Sequence, residues 1–84
     1  MQKTIPEITK TNRTQQSLTL EQFAQALCED IPGMELTKQA VGMWENGKST
    51  PAYLFALLVF MKYNDWRAGW ARAVLNILKP GLFK

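Results

Sequence analysis

The chain has 84 residues, 46% of them apolar, and a formal charge of +3, enough for one domain with a marginal core. It has no histidine and a single cysteine, Cys28. An internal disulfide, a cysteine-based zinc site and every Ser-His or Cys-His nucleophile are therefore excluded. The carboxylates Glu7, Glu21, Glu29, Asp30, Glu35, Glu45 and Asp65 are scattered, so the reading is a non-enzyme with no cofactor, metal or small-molecule substrate.

Charge is uneven along the chain. Residues 17–35 carry Glu21, Glu29, Asp30 and Glu35 and no cation, whereas residues 51–84 carry Lys62, Arg67, Arg72, Lys79 and Lys84 against Asp65 alone. A sequence pI near 9.3 fits an anionic partner. The polar stretch Met1–Gln16 does not read as a secretory signal. The longest apolar run, Ala52–Met61, is about half the 20 residues that a membrane span needs. A soluble, cytoplasmic protein without a membrane partner is expected.

In chain order, residues 1–16 hold only Ile5 and Ile8 as sizeable apolar groups after Met1. Pro6 can open a helix after Thr4, but Thr9, Thr11, Asn12 and Thr14 are poor helix formers. This segment reads as an arm or a weak first helix that assists binding. Residues 19–28 read as a helix capped by Thr19, with Gln22 completing a capping box and Leu20, Phe23, Ala24 and Leu27 on one face. Pro32-Gly33 then breaks the chain.

Residues 37–46 read as a second helix, capped by Thr37. At about 100° per residue, Ala40, Val41 and Trp44 share one side. Lys38, Gln39, Gly42, Met43 and Asn46 share the other, and Asn46-Gly47 ends the helix. Residues 51–63 read as a third helix, with Thr50 as cap and Pro51 in the first turn. Its expected core face is Tyr53, Leu54, Leu57, Leu58, Phe60 and Met61, which leaves Phe55, Ala56 and Val59 on the far side. Residues 65–79 read as the last helix, capped by Asn64 or Asp65, with Trp66, Trp70, Ala73, Val74, Ile77 and Leu78 on one broad stripe. No two-residue alternation marks a strand, so the expectation is an all-α bundle of four or five helices. The surplus apolar surface predicts a homodimer through Phe55, Val59, Trp66 and Trp70.

The segments Leu18-Thr19-Leu20-Glu21-Gln22-Phe23-Ala24 and Val41-Gly42-Met43-Trp44-Glu45-Asn46-Gly47-Lys48-Ser49-Thr50-Pro51 resemble the phage-repressor and Cro-type helix-turn-helix family, often called XRE-like. The resemblance spans residues 18 to about 63. It implies a lambda-repressor-like domain over residues 17–84 that binds double-stranded DNA, with residues 37–46 as the recognition helix. By that match Lys38, Gln39, Gly42 and Met43 face bases, while Thr37, Asn46 and Lys48 lie at phosphates. Lysine can donate to guanine and a glutamine amide can pair with adenine.

The chain departs from the family pattern in three places. An acidic insertion, Glu29–Leu36, follows Cys28 where a glycine and a short turn are usual. Leu20 stands where a phosphate-touching glutamine is frequent. Residues 1–16 match the usual first helix poorly. Glu29, Asp30 and Glu35 are expected to turn away from the duplex. The function read from all this is a transcriptional regulator, more readily a repressor of phage, plasmid or prophage-like origin. The alternative is a protein-interaction module on the same fold, such as an antitoxin or anti-repressor.

Overall fold

The computed structural model describes residues 3–83, so Met1 and Gln2 of the N-terminal segment and Lys84 lie outside the described residues. It is all-helical: α1 (Ile5–Gln15), α2 (Leu20–Cys28), α3 (Lys38–Glu45), α4 (Tyr53–Lys62) and α5 (Trp66–Leu78). No strand occurs among the described residues. The radius of gyration, 11.7 Å, is that of a folded chain of this length, about 12 Å. α5 packs most extensively on α4, while α1 lies against both α3 and α5, and α2 against α3.

The core is organised around Trp70. Its indole is wholly buried. It stacks on Trp44 at 5.8 Å between centroids and meets the edge of Phe23 at 5.8 Å. Phe23 in turn contacts Trp66, and Trp44 contacts Phe55. The Trp70 Nε1–H donates to the buried Thr9 hydroxyl at 3.1 Å, so the one polar atom of the indole is satisfied inside.

That bond decides between the two readings of residues 1–16, arm or weak first helix, in favour of a helix. The segment is helix α1 from Ile5 onward, with Ile5, Ile8 and Thr9 buried. Its polar residues do not compete with the helix, because they bond into it. The Thr4 hydroxyl caps the Glu7 N–H, Asn12 Nδ2 donates to the Ile8 carbonyl and the Thr14 hydroxyl to that of Lys10. The helix closes with Ser17 at φ 57°. The Ser17 N–H donates to Thr14 O and the Leu18 N–H to Arg13 O. This is a Schellman motif with serine in the glycine position.

α4 is turned over relative to expectation. Phe55, Ala56 and Val59 are the buried side, while Leu54, Leu58 and Met61 are exposed. A helix apolar all round carries no pattern to orient it. What orients it is its packing against α5, and Ala56, fully buried like Ala71 on α5, suits close approach of this helix pair. Thr50 does not cap α4. Its N-cap is Ala52, without a side-chain bond, and Pro51 is buried before it. On α5 the buried side is Trp70, Ala71, Val74 and Leu75, whereas Ile77 is exposed. The expected dimer interface is therefore overturned in its residues. Phe55, Val59 and Trp70 belong to the core of the single chain, and Trp66 is half-buried against Phe23.

Thr9→Val keeps the shape of the side chain and removes the acceptor of the Trp70 N–H. It should lower stability by about 1–3 kcal/mol, read from urea unfolding followed by tryptophan fluorescence. A change below a few tenths would mean that the indole N–H finds another partner.

Candidate nucleic-acid interface

α3 is a short helix held from both ends and from behind. At its N-terminus the Thr37 hydroxyl accepts from the Ala40 N–H at 3.2 Å. At its C-terminus Asn46 is the cap and Gly47 adopts φ 72°, where a side chain would be strained. The Gly47 N–H donates to Trp44 O and the Lys48 N–H to Met43 O at 2.9 Å, a second Schellman motif. Behind the helix Val41 and Trp44 enter the core, with Ala40 half-buried beside them.

The remaining side of α3 faces outward. Lys38, Gln39, Met43, Asn46 and Lys48 are all exposed, and so is Thr37. Lys38 and Lys48 form no ion pair among the described residues. Gly42 lies between these residues and is half-buried. A Cβ on it would meet the Leu20 Cδ1 of α2 at 3.8 Å, an ordinary contact. Thus the structure brings Lys38, Gln39, Met43 and Asn46 onto one solvent-facing side, with Thr37 and Lys48 at its ends. Leu20 sits at its edge.

Two arginines brace this arrangement, and sequence reasoning gave neither a role. Arg13 of α1 grips the Glu45 carboxylate through Nε–Oε2 at 2.6 Å and a second bond of 3.1 Å. Its third nitrogen donates to the Leu18 carbonyl at 3.0 Å. One guanidinium thus joins α1, the turn before α2, and the last residue of α3. The bidentate carboxylate raises the Arg13 pKa further, so this cation stays charged. No local pattern signals the pair, because its members lie 32 residues apart.

The second brace holds the acidic insertion. Arg67 donates to the Ala26 carbonyl at 2.8 Å and to Glu29 at 3.1 Å, and its guanidinium lies 3.7 Å from the centre of the Tyr63 ring. The Asp30 N–H donates to the Tyr63 hydroxyl at 2.9 Å. Ile31, Met34 and Leu36 are half-buried against the core, so the insertion is seated on the domain. Glu29 is drawn to Arg67 on α5, while Glu35 is exposed just before α3. Cys28 is half-buried beneath the loop, and burial raises its thiol pKa.

No protein-family model matches the chain, and no curated protein or solved structure matches it. No helix among the described residues is long and apolar enough to cross a membrane.

Gly42→Ala should stabilise the protein by about 0.5–1 kcal/mol, since helix propensity improves and the new methyl meets only an ordinary contact. Thermal unfolding by circular dichroism checks this, and a lower melting temperature would show that α3 is bent at Gly42.

Asp65 caps α5 and is bonded to Arg67, which holds its carboxyl below the ordinary 3.8. A lowered folded pKa means that the stabilisation is present above the unfolded value and is lost as pH falls through the folded one. Asp65→Asn keeps a competent cap and removes the charge. The melting-temperature gap between wild type and variant should therefore be largest near neutral pH and shrink below about pH 4. A gap independent of pH would dismiss the ion pair as its source.

Proposed function

We propose that this protein is a sequence-specific regulator of transcription that binds double-stranded DNA through the outer face of α3. The observation that carries the reading is this face itself. Lys38, Gln39, Met43 and Asn46 stand exposed together on a helix whose opposite side is anchored by Val41 and Trp44. A helix of this kind fits the major groove, where its N-terminal residues reach base edges. The resemblance of residues 18–63 to the phage-repressor and Cro-type family supports the same helix in the same role.

On this reading Lys38 donates to guanine acceptors and Gln39 forms paired bonds with an adenine. Met43 offers an apolar contact to a thymine methyl. Thr37, Asn46 and Lys48 hold phosphates at the two ends of α3 and set its register without reading sequence. The Arg13–Glu45 pair touches no base; it keeps the angle of α3 fixed while the face is engaged. The pairing of Glu29 with Arg67 draws one acid of the insertion toward α5, while Asp30 and Glu35 stay exposed.

The test is titration of labelled duplexes selected from a randomised pool. Affinity should fall with salt, with a log–log slope of about −0.9 for each phosphate contact. Gln39→Ala should cost about 1–3 kcal/mol on the selected site and relax preference at one base pair. Lys48→Ala should weaken all duplexes alike and flatten the salt slope by about one contact. Failure to enrich any duplex at low salt, or a Gln39→Ala profile identical to wild type, would remove this assignment.

A further inference from the structure

The outer side of α4 has no part in the core or in the α3 face. Counting about 100° per residue, Leu57, Met61, Leu54 and Leu58 fall side by side, at the i, i+3, i+4, i+7 spacing of a straight apolar ridge. Leu54 is 69% exposed, Met61 73% and Leu58 44%, while Leu57 is half-buried at the ridge's inner edge.

Both edges of the ridge are cationic. Lys62 follows Leu58 on one edge and is exposed. On the other edge lie Tyr53, which carries the cap residue of α5, and Phe60, whose ring partner Phe83 carries a cation of α5. Lys79 Nζ is 5.3 Å from the Tyr53 ring centre. Phe60 meets Phe83 edge-on at 5.0 Å, and the Arg72 guanidinium lies 5.1 Å from the Phe83 ring. Among the described residues no unpaired side-chain carboxylate of this half of the chain offsets them, since Asp65, the one acidic residue of 51–84, is bound to Arg67.

We propose that the Leu54–Leu58–Met61 ridge of α4 is a docking surface for an acidic amphipathic helix of another protein. Such a helix lays its apolar stripe on the ridge and sets carboxylates along its margins against Lys62, Arg72 and Lys79.

A second copy of this chain fits less well on two counts. Ridge-to-ridge pairing about a two-fold axis brings like cationic edges together. The three exposed side chains also leave on the order of 400 Å² of apolar surface in water, about half of what each partner contributes to a standing dimer. That area suits one short helix held transiently. An anionic lipid surface is disfavoured because the tryptophans that would settle at headgroup level are occupied in the core or against it: Trp44 and Trp70 are buried, and Trp66 packs on Phe23.

The test uses the full chain and a designed probe. The probe is a helical peptide of about five turns, with a leucine stripe edged by glutamates; the control carries lysines at those edges. In an NMR titration the glutamate peptide should move the amides of α4 and of the last turns of α5, with Kd about 10–100 μM. The lysine peptide should bind at least about tenfold more weakly. Leu54→Asp with Met61→Asp should abolish binding and leave the melting temperature essentially unchanged, because both side chains already face water. Lys62→Glu with Lys79→Glu should weaken the glutamate peptide about tenfold and improve the lysine peptide.

Absence of shifts up to about 1 mM peptide overturns the proposal, as does equal affinity for the two peptides or a shift pattern centred on α3. A two-chain mass in sedimentation equilibrium that Leu54→Asp abolishes overturns it in favour of a second copy. Binding to phosphatidylserine-containing vesicles without peptide binding overturns it in favour of a membrane.

Discussion

The burial of one indole sets the terms for the rest of the molecule. Trp70 lies where α1, α2, α3 and α5 converge, and each of the other three helices gives it one partner: the Thr9 hydroxyl, the Phe23 edge and the Trp44 face. An indole buries a large apolar area but carries an N–H that must not be orphaned. Here the acceptor comes from the most polar helix of the fold. That is why a segment with only two sizeable apolar side chains is fixed in place. A small domain has few places for such an anchor, and this one spends two of its three tryptophans on a single stack.

The presentation of α3 follows from that stack. Trp44, on the same helix as the candidate base-facing residues, is the partner of Trp70, so the roll of α3 about its own axis is set by the core. Its tilt is set at the neighbouring residue, Glu45, in the grip of Arg13. The two constraints act on adjacent residues but at right angles, one apolar and one ionic. Side chains such as Gln39 thereby inherit a defined direction without needing partners of their own, and this is what a surface that selects among similar ligands requires.

How much of this was legible in the sequence depends on the range of the interaction involved. Thr19 with Gln22, Thr37 before α3 and Asn46-Gly47 after it are local devices, and the caps fall where their spacing placed them. The outward side of α3 followed from angle alone, because Ala40, Val41 and Trp44 leave no doubt about which side is apolar. α4 failed the same method, since ten consecutive apolar residues give every direction equal weight. The decision rested with the packing of α4 against α5, a matter of fit between helices. α1 was left open between an arm and a weak helix for a related reason. Its threonines and asparagine are unfavourable in a free helix, and only a tertiary partner such as Trp70, 61 residues away, turns Thr9 into an asset. The Arg13–Glu45 pair was invisible on the same grounds.

The division of labour between the two kinds of cation has one more consequence. Two of the three arginines are committed to polar partners within the molecule, Arg13 to Glu45 and Arg67 to Asp65, Glu29 and a helix end, while Arg72 is exposed beside an aromatic ring. Fork-shaped guanidinium groups suit such fixed geometries. The positive field that the domain projects into solvent therefore falls mainly to flexible lysines, most of which have no structural duty among the described residues. Architecture and electrostatic reach are thus written in different residue types. A cell that acetylates lysines could erase the field while leaving the fold intact, and an evolving lineage could retune its attraction to polyanions one lysine at a time at almost no cost in stability.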